Sequence, residues 1–523
     1  MLRDFRGSGL IGRFLLVGAL CLPASAGAAA KWWVVHGEFF DVYTDAGKDE
    51  ALDTAVWMEQ FRRTVGTIWK VEPRTIRRAT IVQFRSDEEF SKYRDARFLG
   101  GYFTRSDYWA TMAFGSDWDQ DSVRQLVQHE CVHWLMAAKR ARFPLWLDEG
   151  FAELFSTVAV EGRQCSVFAP VPWNVDWLQR RGAASLRRVL GTRSENLNFN
   201  NETEVHAFYA QAWVLVHYLL RGRGVKDGAG RLQSYLNLLD RGSGIDEAFR
   251  EAFGVEPAQL QEELSRYVVS GSYSPARVPF VRSEIDRAFK VEPAPEVEVQ
   301  CALATLELAG LRDPLAAAVR FRAARDRFPD SPLPYEGLGY VACVKGDFHV
   351  AVPLFNEALT RGSRTPFVRY LPASSELQDQ LGGNPRTYAM PAADARRLCD
   401  ALRTVLEQEP TLTNGPDEFG LALQFTDPVQ VEDVKFLASL ARYTAEPGIV
   451  FYRTTGLLHL GGQDEEVRKI LGKIAETSGN PRLKEAAERD LAELDAPASE
   501  IRIGARPVQW LRRQTMETPL RLP

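Results

Sequence analysis

The sequence predicts an α+β domain, which consists of a small β-sheet followed by a helical lobe. A solenoid of α-helices is predicted to follow this domain along the chain. Three observations lead to this prediction. Strand-like and helix-like segments alternate through residues 31–115, and helical periodicity then continues to residue 270. Beyond a proline-rich segment the chain repeats itself with a period of about 34 residues. The expected layout is a signal peptide at 1–30, the α+β part of the domain at 31–115, a helical lobe at 116–270, a linker at 271–298, helical repeats at 299–498 and a tail at 499–523.

Length and composition narrow the class of protein. A chain of 523 residues is too long for one hydrophobic core, and 45% hydrophobic with 25% charged residues is typical of soluble globular domains. The formal net charge of -5 gives no basic field of the kind that nucleic-acid binders need. We therefore expect no nucleic-acid partner.

The amino terminus has the pattern of a secretory signal. Arginines precede a short apolar stretch from Phe14 to Leu22, and small residues follow up to Ala30. An uncleaved membrane anchor is the alternative, although the apolar run is shorter than the roughly 20 residues that a spanning helix needs. We expect an exported protein, periplasmic or secreted. Its six cysteines show no CxxC spacing, which argues against a disulfide framework or a cysteine metal site.

Residue patterns assign the secondary structure in chain order. β-Branched and aromatic residues predict one or two strands over Trp32–Thr44 and further strands over Ala79–Phe84 and Tyr108–Phe114. Apolar residues at helical spacing predict a helix over Lys48–Trp69. The later segments with helical periodicity are 122–138, 149–160, 183–190, 203–222, 229–239, 245–252 and 257–268.

A sequence repeat follows the linker. Its recurring positions carry alanine or phenylalanine, namely Ala317, Phe321 and Ala324 in the first copy and Ala351, Phe355 and Ala358 in the second. This period, with small residues where two helices pack closely, resembles the tetratricopeptide repeat. Because such stacks need about three units, residues 388–408 and 450–492 are expected to complete the solenoid. An unrelated helical bundle is the alternative.

The sharpest chemical signal is the run His129-Glu130-Cys131-Val132-His133 within an apolar helix. Positions i and i+4 of a helix lie on one face, so both imidazoles can bind one ion. Two histidines that only form hydrogen bonds in a core are the competing interpretation.

A second motif supplies further ligands. Pro144 precedes the sequence WLDEGFAEL, in which Glu149 is expected to begin the next helix. A catalytic zinc site needs a third protein ligand and one position open to water, and a helical hairpin can bring Glu149 to that place. Glu153, one turn later, can accept a hydrogen bond from a ligating histidine and fix its tautomer. The predicted cofactor is therefore Zn2+.

HECVH followed by LWLDEGFAELF resembles the gluzincins, the thermolysin-like and aminopeptidase-like zinc peptidases, and most of all the bacterial peptidase-MA-like group. The resemblance implies a thermolysin-like fold over about residues 31–270. It implies that His129, His133 and Glu149 are zinc ligands, that Glu130 is the general base and that Glu153 supports a ligand. Many gluzincins have aspartate where this chain has Glu153. The group is often exported and fused to tetratricopeptide repeats.

The same resemblance suggests a donor for the oxyanion. Tyr209 follows Glu149 on a later helix, close in sequence to where related enzymes place a tyrosine that stabilises the transition state. His206 shares its helix face and is the rival candidate, and a core aromatic is the competing interpretation of Tyr209. For the substrate, an edge strand beside the metal helix is expected to pair with a peptide. Tyr108–Phe114 is the candidate strand, with a buried core strand as the equal alternative.

Two classes of function follow. The first is an exported zinc peptidase that acts on peptides or proteins. The second is a scaffold whose repeats bind a protein partner while the peptidase domain is vestigial. A third interpretation is a metalloenzyme with a substrate other than a peptide. The presence of every expected zinc residue and of Glu130 favours the peptidase.

Overall fold

A computed structural model describes residues 31–95, 99–138, 143–222, 225–240, 242–280, 289–382, 390–443 and 464–477, with a few positions between 484 and 492. Helices predominate and two small β-sheets accompany them, so the expected mixed α+β class is confirmed. The predicted signal peptide, the tail at 499–523 and most of the predicted hairpin at 450–492 lie outside the described residues. Among the described residues, no helix is both long enough and apolar enough to span a bilayer.

The first part of the chain builds the sheet and the helices around it. Its elements are β1 Trp33–His36, β2 Phe40–Thr44, α1 Lys48–Ile68, β3 Ala79–Phe84, α2 Asp87–Phe90, β4 Gly101–Arg105, β5 Ala110–Gly115, α3 Gln120–Ala138 and α4 Leu145–Phe155. The helical lobe and its small sheet follow, with β6 Ala159–Glu161, β7 Gln164–Val167, α5 Pro172–Arg181, α6 Leu186–Gly191, α7 Glu202–Arg221, α8 Gly228–Asp240, α9 Ile245–Phe253, α10 Pro257–Ser270 and β8 Ala276–Pro279.

The main sheet has six strands in the order β4-β5-β3-β2-β1-β9, where β9 is Val291–Pro293. The central pairs β2–β3 and β3–β5 are parallel, while β4, β1 and β9 pair antiparallel with their neighbours. β5 is buried along its whole length, as expected of an interior strand. The suggestion that Tyr108–Phe114 forms a substrate-binding edge is therefore wrong, because β4 occupies that edge.

The two faces of the sheet are covered by different parts of the chain. Side chains alternate across a strand, so Val35 faces a core with α1 and α3, whereas Val34 faces the opposite side. That opposite side is covered by α11, Glu296–Ala309, through residues such as Leu306. The first helix after the predicted linker thus completes the core of the sheet.

Helix α4 packs closely against α7, and a glycine allows the approach. A Cβ atom at Gly150 would lie 2.7 Å from the backbone oxygen of Ala212 and 2.5 Å from Val216. These distances leave no room for any side chain at position 150. The carboxyl side chain of the neighbouring Glu149 is therefore held at a fixed depth in the lobe.

The second half of the chain is a series of helical hairpins, and each helix from Glu296–Ala309 to Val431–Leu440 packs against the next. Its further helices are α12 Pro314–Arg327, α13 Leu333–Val344, α14 Phe348–Thr360, α15 Pro366–Gly382, α16 Ala392–Gln408, α17 Gly415–Leu423, α18 Val431–Leu440 and α19 Asp464–Thr477. The alanine and phenylalanine positions of the sequence repeat are all buried. Gly337 and Gly339 make room for the repeated rings, because a Cβ there would lie 2.0 Å from Phe321 and 2.1 Å from Phe355.

The segment expected to be a linker takes part in both sheets. β8 pairs with β7, β9 pairs with β1, and α11 already begins at Glu296. The five cysteines of the described residues are buried and form no disulfide.

Candidate metal centre

Two helices bring the predicted ligands together. The carboxylate of Asp119 accepts a hydrogen bond from the amide of Ser122 (3.0 Å) at the start of α3, and Pro144 occupies the N-cap of α4. Helix α4 begins at Leu145 and not at Glu149 as expected, because the amides of residues 147 and 148 already donate to the Pro144 carbonyl. Glu149 therefore projects from the second turn of α4.

The three expected ligand atoms form a nearly equilateral triangle. Glu149 Oε2 lies 3.3 Å from His129 Nε2 and 3.6 Å from His133 Nε2, and the two imidazole nitrogens are 3.4 Å apart. Among the described residues, these side chains form the cluster of histidine, cysteine and acidic groups that could hold an ion. A buried oxygen of Glu149 also has no hydrogen bond of good geometry.

This triangle fits a zinc ion. Ligands about 2.0–2.1 Å from a tetrahedral metal stand about 3.3–3.4 Å from one another, which is close to the three separations observed. Two imidazoles and one carboxylate are a donor set that zinc accepts, and they leave the fourth position to water or substrate. The geometry thus provides the third protein ligand and the open position that a catalytic zinc site needs.

Acidic groups lie behind both imidazoles. Glu153 Oε1 is 3.2 Å from His129 Nδ1, and the other carboxylate oxygen of Glu153 accepts a hydrogen bond from Asn174 Nδ2 (2.8 Å). Asp148 Oδ1 is 3.2 Å from His133 Nδ1. Each carboxylate can fix the tautomer in which Nε2 carries a free lone pair for a metal.

Of these supporting groups, Glu153 was predicted from the sequence, whereas Asp148 and Asn174 were missed. Asp148 directly precedes Glu149 in the sequence. It could have been identified if Glu149 had been placed in the second turn of its helix. Asn174 lies on α5 and is fully buried, and nothing in its local sequence marks it.

Glu130 stands beside the triangle at the cavity wall. The residue is 6% exposed. Burial raises the pKa of Glu130 above its usual range, although the imidazoles of His129 and His133 and a backbone hydrogen bond at Phe103 oppose the shift. Phe103 belongs to the edge strand β4. A carboxyl group with a raised pKa is suited to exchange protons near neutral pH.

Tyr209 lies against the same site. The ring of Tyr209 is 5.8 Å from the ring of His129, and burial together with the carboxylate of Glu149 raises the pKa of its hydroxyl well above the usual range. The hydroxyl therefore stays protonated and can act as a hydrogen-bond donor. The rival His206 instead packs against Trp173, at 5.1 Å between rings, and does not line the cavity.

The electrostatics of the site favour positive charge at its centre. Burial lowers the pKa of His129, but the nearby carboxylates of Glu149 and Glu153 outweigh it and raise this pKa to about 10. The pKa of His133 is likewise raised, with Asp148 and Glu149 outweighing burial. The carboxylates thus favour a positive charge at this place, and a metal ion that bound there would displace protons from the imidazoles.

A cavity of about 450 Å³ opens onto these groups. It is bounded on one side by the edge strand β4 and on the other by α3 and α4. Its apolar lining includes Phe103, Met136, Phe143, Leu145 and Phe199. The volume is in the range of known ligand sites, about 300–1,000 Å³.

Comparison with known proteins adds one match. Residues 124–226 match a family model described as "Protein of unknown function (DUF1570)". The matched segment runs from within α3 through α7 and contains the six predicted site residues, namely His129, Glu130, His133, Glu149, Glu153 and Tyr209. No curated protein matches the chain.

Proposed function

We propose that the protein is a zinc-dependent peptidase of the gluzincin type. The single observation that carries the proposal is the triangle of His129, His133 and Glu149, with sides of 3.3, 3.4 and 3.6 Å. A general-base candidate, Glu130, lies in the same cavity. When bound, a zinc ion supplies a Lewis acid that polarises a carbonyl group and lowers the pKa of water to about 7.

The protein groups have separate tasks in this mechanism. The carboxylate of Glu130 takes the proton of the attacking water and delivers it to the nitrogen of the leaving amine. The Tyr209 hydroxyl donates a hydrogen bond to the oxygen on which negative charge develops. Glu153 and Asp148 hold the two imidazoles in the tautomer that leaves Nε2 free. β4 is the end strand of the described main sheet, and its outer edge would offer amide and carbonyl groups to an extended peptide.

The finer fold belongs to the same proposal. We infer a thermolysin-like catalytic domain over residues 31–270 and a tetratricopeptide-like solenoid over 299–498. The period of the sequence repeat and its buried alanine and phenylalanine positions support the solenoid. The signal-like sequence at 1–30 supports export to the periplasm or the medium. The alternative function is a scaffold that binds a protein partner through its repeats. It predicts that a substitution of Glu130 leaves partner binding unchanged.

Two variants test the proposal at separate levels. Purified protein should contain one zinc per chain by atomic emission, and His129→Ala should lose it. Glu130→Gln should keep the zinc, because Glu130 is not in the ligand triangle, yet it should lose hydrolysis of the peptides that a proteome-derived cleavage screen identifies. Hydrolysis by Glu130→Gln at the wild-type rate would refute the proposed base, and a metal-free wild-type protein would refute the zinc site.

A further inference from the structure

A second cavity, of about 840 Å³, lies between the main sheet and the helical hairpins. Its walls are the amino-terminal ends of β3 and β5, the helices α11 and α13, and the turn before α15. No residue that lines it also lines the cavity at the metal centre. The volume lies within the range of small-molecule sites, about 300–1,000 Å³. It is therefore a candidate binding site distinct from the metal centre.

Aromatic rings form one wall of this cavity. The ring of Tyr108 lies 4.7 Å from Phe367, 5.6 Å from Trp109 and 6.0 Å from Tyr340. The Tyr108 hydroxyl and the Trp109 ring nitrogen are buried and have no hydrogen-bond partner. Aromatic faces carry partial negative charge, so a cluster of rings attracts cations as well as apolar groups.

A buried carboxylate stands next to these rings. Glu336, one helical turn before Tyr340 on α13, lines the cavity and is 6% exposed. Its hydrogen-bond partners are hydroxyl groups, with Thr365 Oγ1 at 3.0 Å and Ser363 nearby. None of the ion pairs among the described residues involves Glu336, and burial raises its pKa. Burial without a counter-ion makes the ionised form of Glu336 costly, and a cationic ligand would stabilise that form by supplying the opposite charge.

The arginines around the cavity do not neutralise Glu336. Arg77 pairs with Glu409, at 3.1 Å, and Arg78 pairs with Asp41, at 2.6 Å. Arg74 and Arg364 also line the cavity, but both are exposed to solvent, where their charge is screened. The deep part of the cavity therefore holds a buried carboxyl group that has no cationic partner among the described residues and lies beside aromatic rings.

We propose that this cavity binds an organic cation, the alkylammonium or guanidinium group of a basic side chain in a peptide. Glu336 is the counter-ion, and the rings of Tyr108 and Tyr340 contact the apolar stem and the charged head. The volume exceeds that of one side chain and leaves room for neighbouring peptide groups. A free diamine offers the same chemistry, and the experiment separates the two sources.

Isothermal titration calorimetry on the full chain tests the proposal with four probes. These are lysine blocked as N-acetyl-lysine methylamide, the norleucine and glutamate analogues, and cadaverine as the free diamine. We expect the blocked lysine to bind at least about tenfold more tightly than norleucine, because only the ammonium can pair with Glu336. Equal binding of norleucine, or tighter binding of glutamate, would overturn the proposal. Binding of cadaverine with no binding of blocked lysine would assign the cation site to free amines and overturn the peptide source.

Two substitutions test whether the blocked lysine binds in this cavity. Glu336→Gln keeps the size of the side chain and should weaken lysine binding about tenfold or more. Glu376→Gln, a paired carboxylate on α15 outside the cavity lining, is the matched control and should bind as the wild type does. Unchanged binding in Glu336→Gln would refute the site.

A second variant keeps the test valid if Glu336→Gln folds poorly. Tyr340→Leu removes one ring but leaves the carboxylate, and it should weaken lysine binding about threefold or more. Thermal unfolding of each variant shows whether it is folded. If Tyr340→Leu binds lysine with wild-type affinity, the proposed role of the rings is wrong. None of these measurements depends on zinc or hydrolysis, so their failure leaves the proposed peptidase function untouched.

Discussion

Zinc affinity should depend on the carboxylate behind His129 in a graded manner. Glu153 is 3% exposed, and its two oxygens face His129 Nδ1 at 3.2 Å and Asn174 Nδ2 at 2.8 Å. The variant Glu153→Gln can still accept a hydrogen bond from His129 if the amide of Asn174 turns over to accept from the new NH2 group. It loses only the negative charge. Glu153→Leu has a similar volume but no acceptor, so His129 is free to adopt the wrong tautomer.

The structure sets the order of these effects. Loss of a hydrogen-bonding partner behind a metal ligand weakens metal binding about 10- to 100-fold, or about 1.4–2.7 kcal/mol. We expect Glu153→Gln near the lower limit and Glu153→Leu at or beyond the upper one. Asp148→Asn, behind His133, should have the smallest effect. The Asp148 side chain is 36% exposed, so water can replace it, and asparagine keeps an acceptor.

A competition titration against a chromogenic zinc chelator measures the three dissociation constants. Circular dichroism and thermal unfolding control for the fold, because Asn174 loses a buried partner in the leucine variant. If Glu153→Leu binds zinc within about twofold of the wild type, then the carboxylate does not orient His129 and the reasoning fails. A larger loss in Asp148→Asn than in Glu153→Leu would contradict the ranking by burial.

Three further predictions concern catalysis and stability. Tyr209→Phe should keep its zinc and lower kcat about 10²- to 10³-fold, and an unchanged kcat would exclude the hydroxyl as oxyanion donor. Burial raises the pKa of Glu418 to about 7, so the folded state holds a proton that the unfolded state releases, and stability should fall as pH rises from about 4.5 to 7. Glu418→Gln should remove this decrease, so that the free energies of unfolding of the two proteins, measured in urea, differ by about 3 kcal/mol at pH 8. The same pH dependence of this free energy in both proteins would contradict the prediction. Leu306→Ala, fully buried between α11 and the sheet, should cost about 2–5 kcal/mol in one cooperative transition, whereas Leu315→Ala, 68% exposed on α12, should cost less than about 0.5 kcal/mol. A separate unfolding step for the helical half would contradict the shared core.

Local sequence patterns predicted those elements whose residues favour one type of secondary structure along their whole length. β3 has the expected bounds, Ala79–Phe84, because its β-branched residues read as a strand in any context. Helix α3 begins close to the predicted start, since its apolar period is long. The spacing of His129 and His133 fixes their common face without any knowledge of the rest of the fold.

Elements that depend on distant partners were not predicted. β4, Gly101–Arg105, shows no clear alternation of polar and apolar residues, and it becomes a strand through its pairing with β5. The segment after residue 270 reads as a linker because of its prolines, yet Val291 to Pro293 complete the sheet beside β1. β6, Ala159–Glu161, begins where the predicted helix over residues 149–160 was expected to end. Tertiary pairing overrode local preference in each case.

The cluster of His129, His133 and Glu149 was predicted from the sequence, but only some of the groups around it were. Glu153 was predicted because it follows Glu149 by one turn of the same helix. Asn174 reaches the site from α5, a helix that the sequence did not predict. Neighbours on one helix can be inferred from spacing, whereas a partner on another helix requires the packed fold.

The pairing of β1 with β9 has a consequence for how the chain folds. Trp33 and Pro293 are partners in the sheet although one precedes the helical lobe with the candidate metal centre and the other follows it. The sheet therefore cannot close until more than half of the chain has been synthesised. Contacts over such separations slow folding, because the intervening loop must lose its conformational freedom first. A nascent chain shorter than this would leave β1 with one unpaired edge. We expect newly made chains to remain sensitive to proteases until the ninth strand is in place.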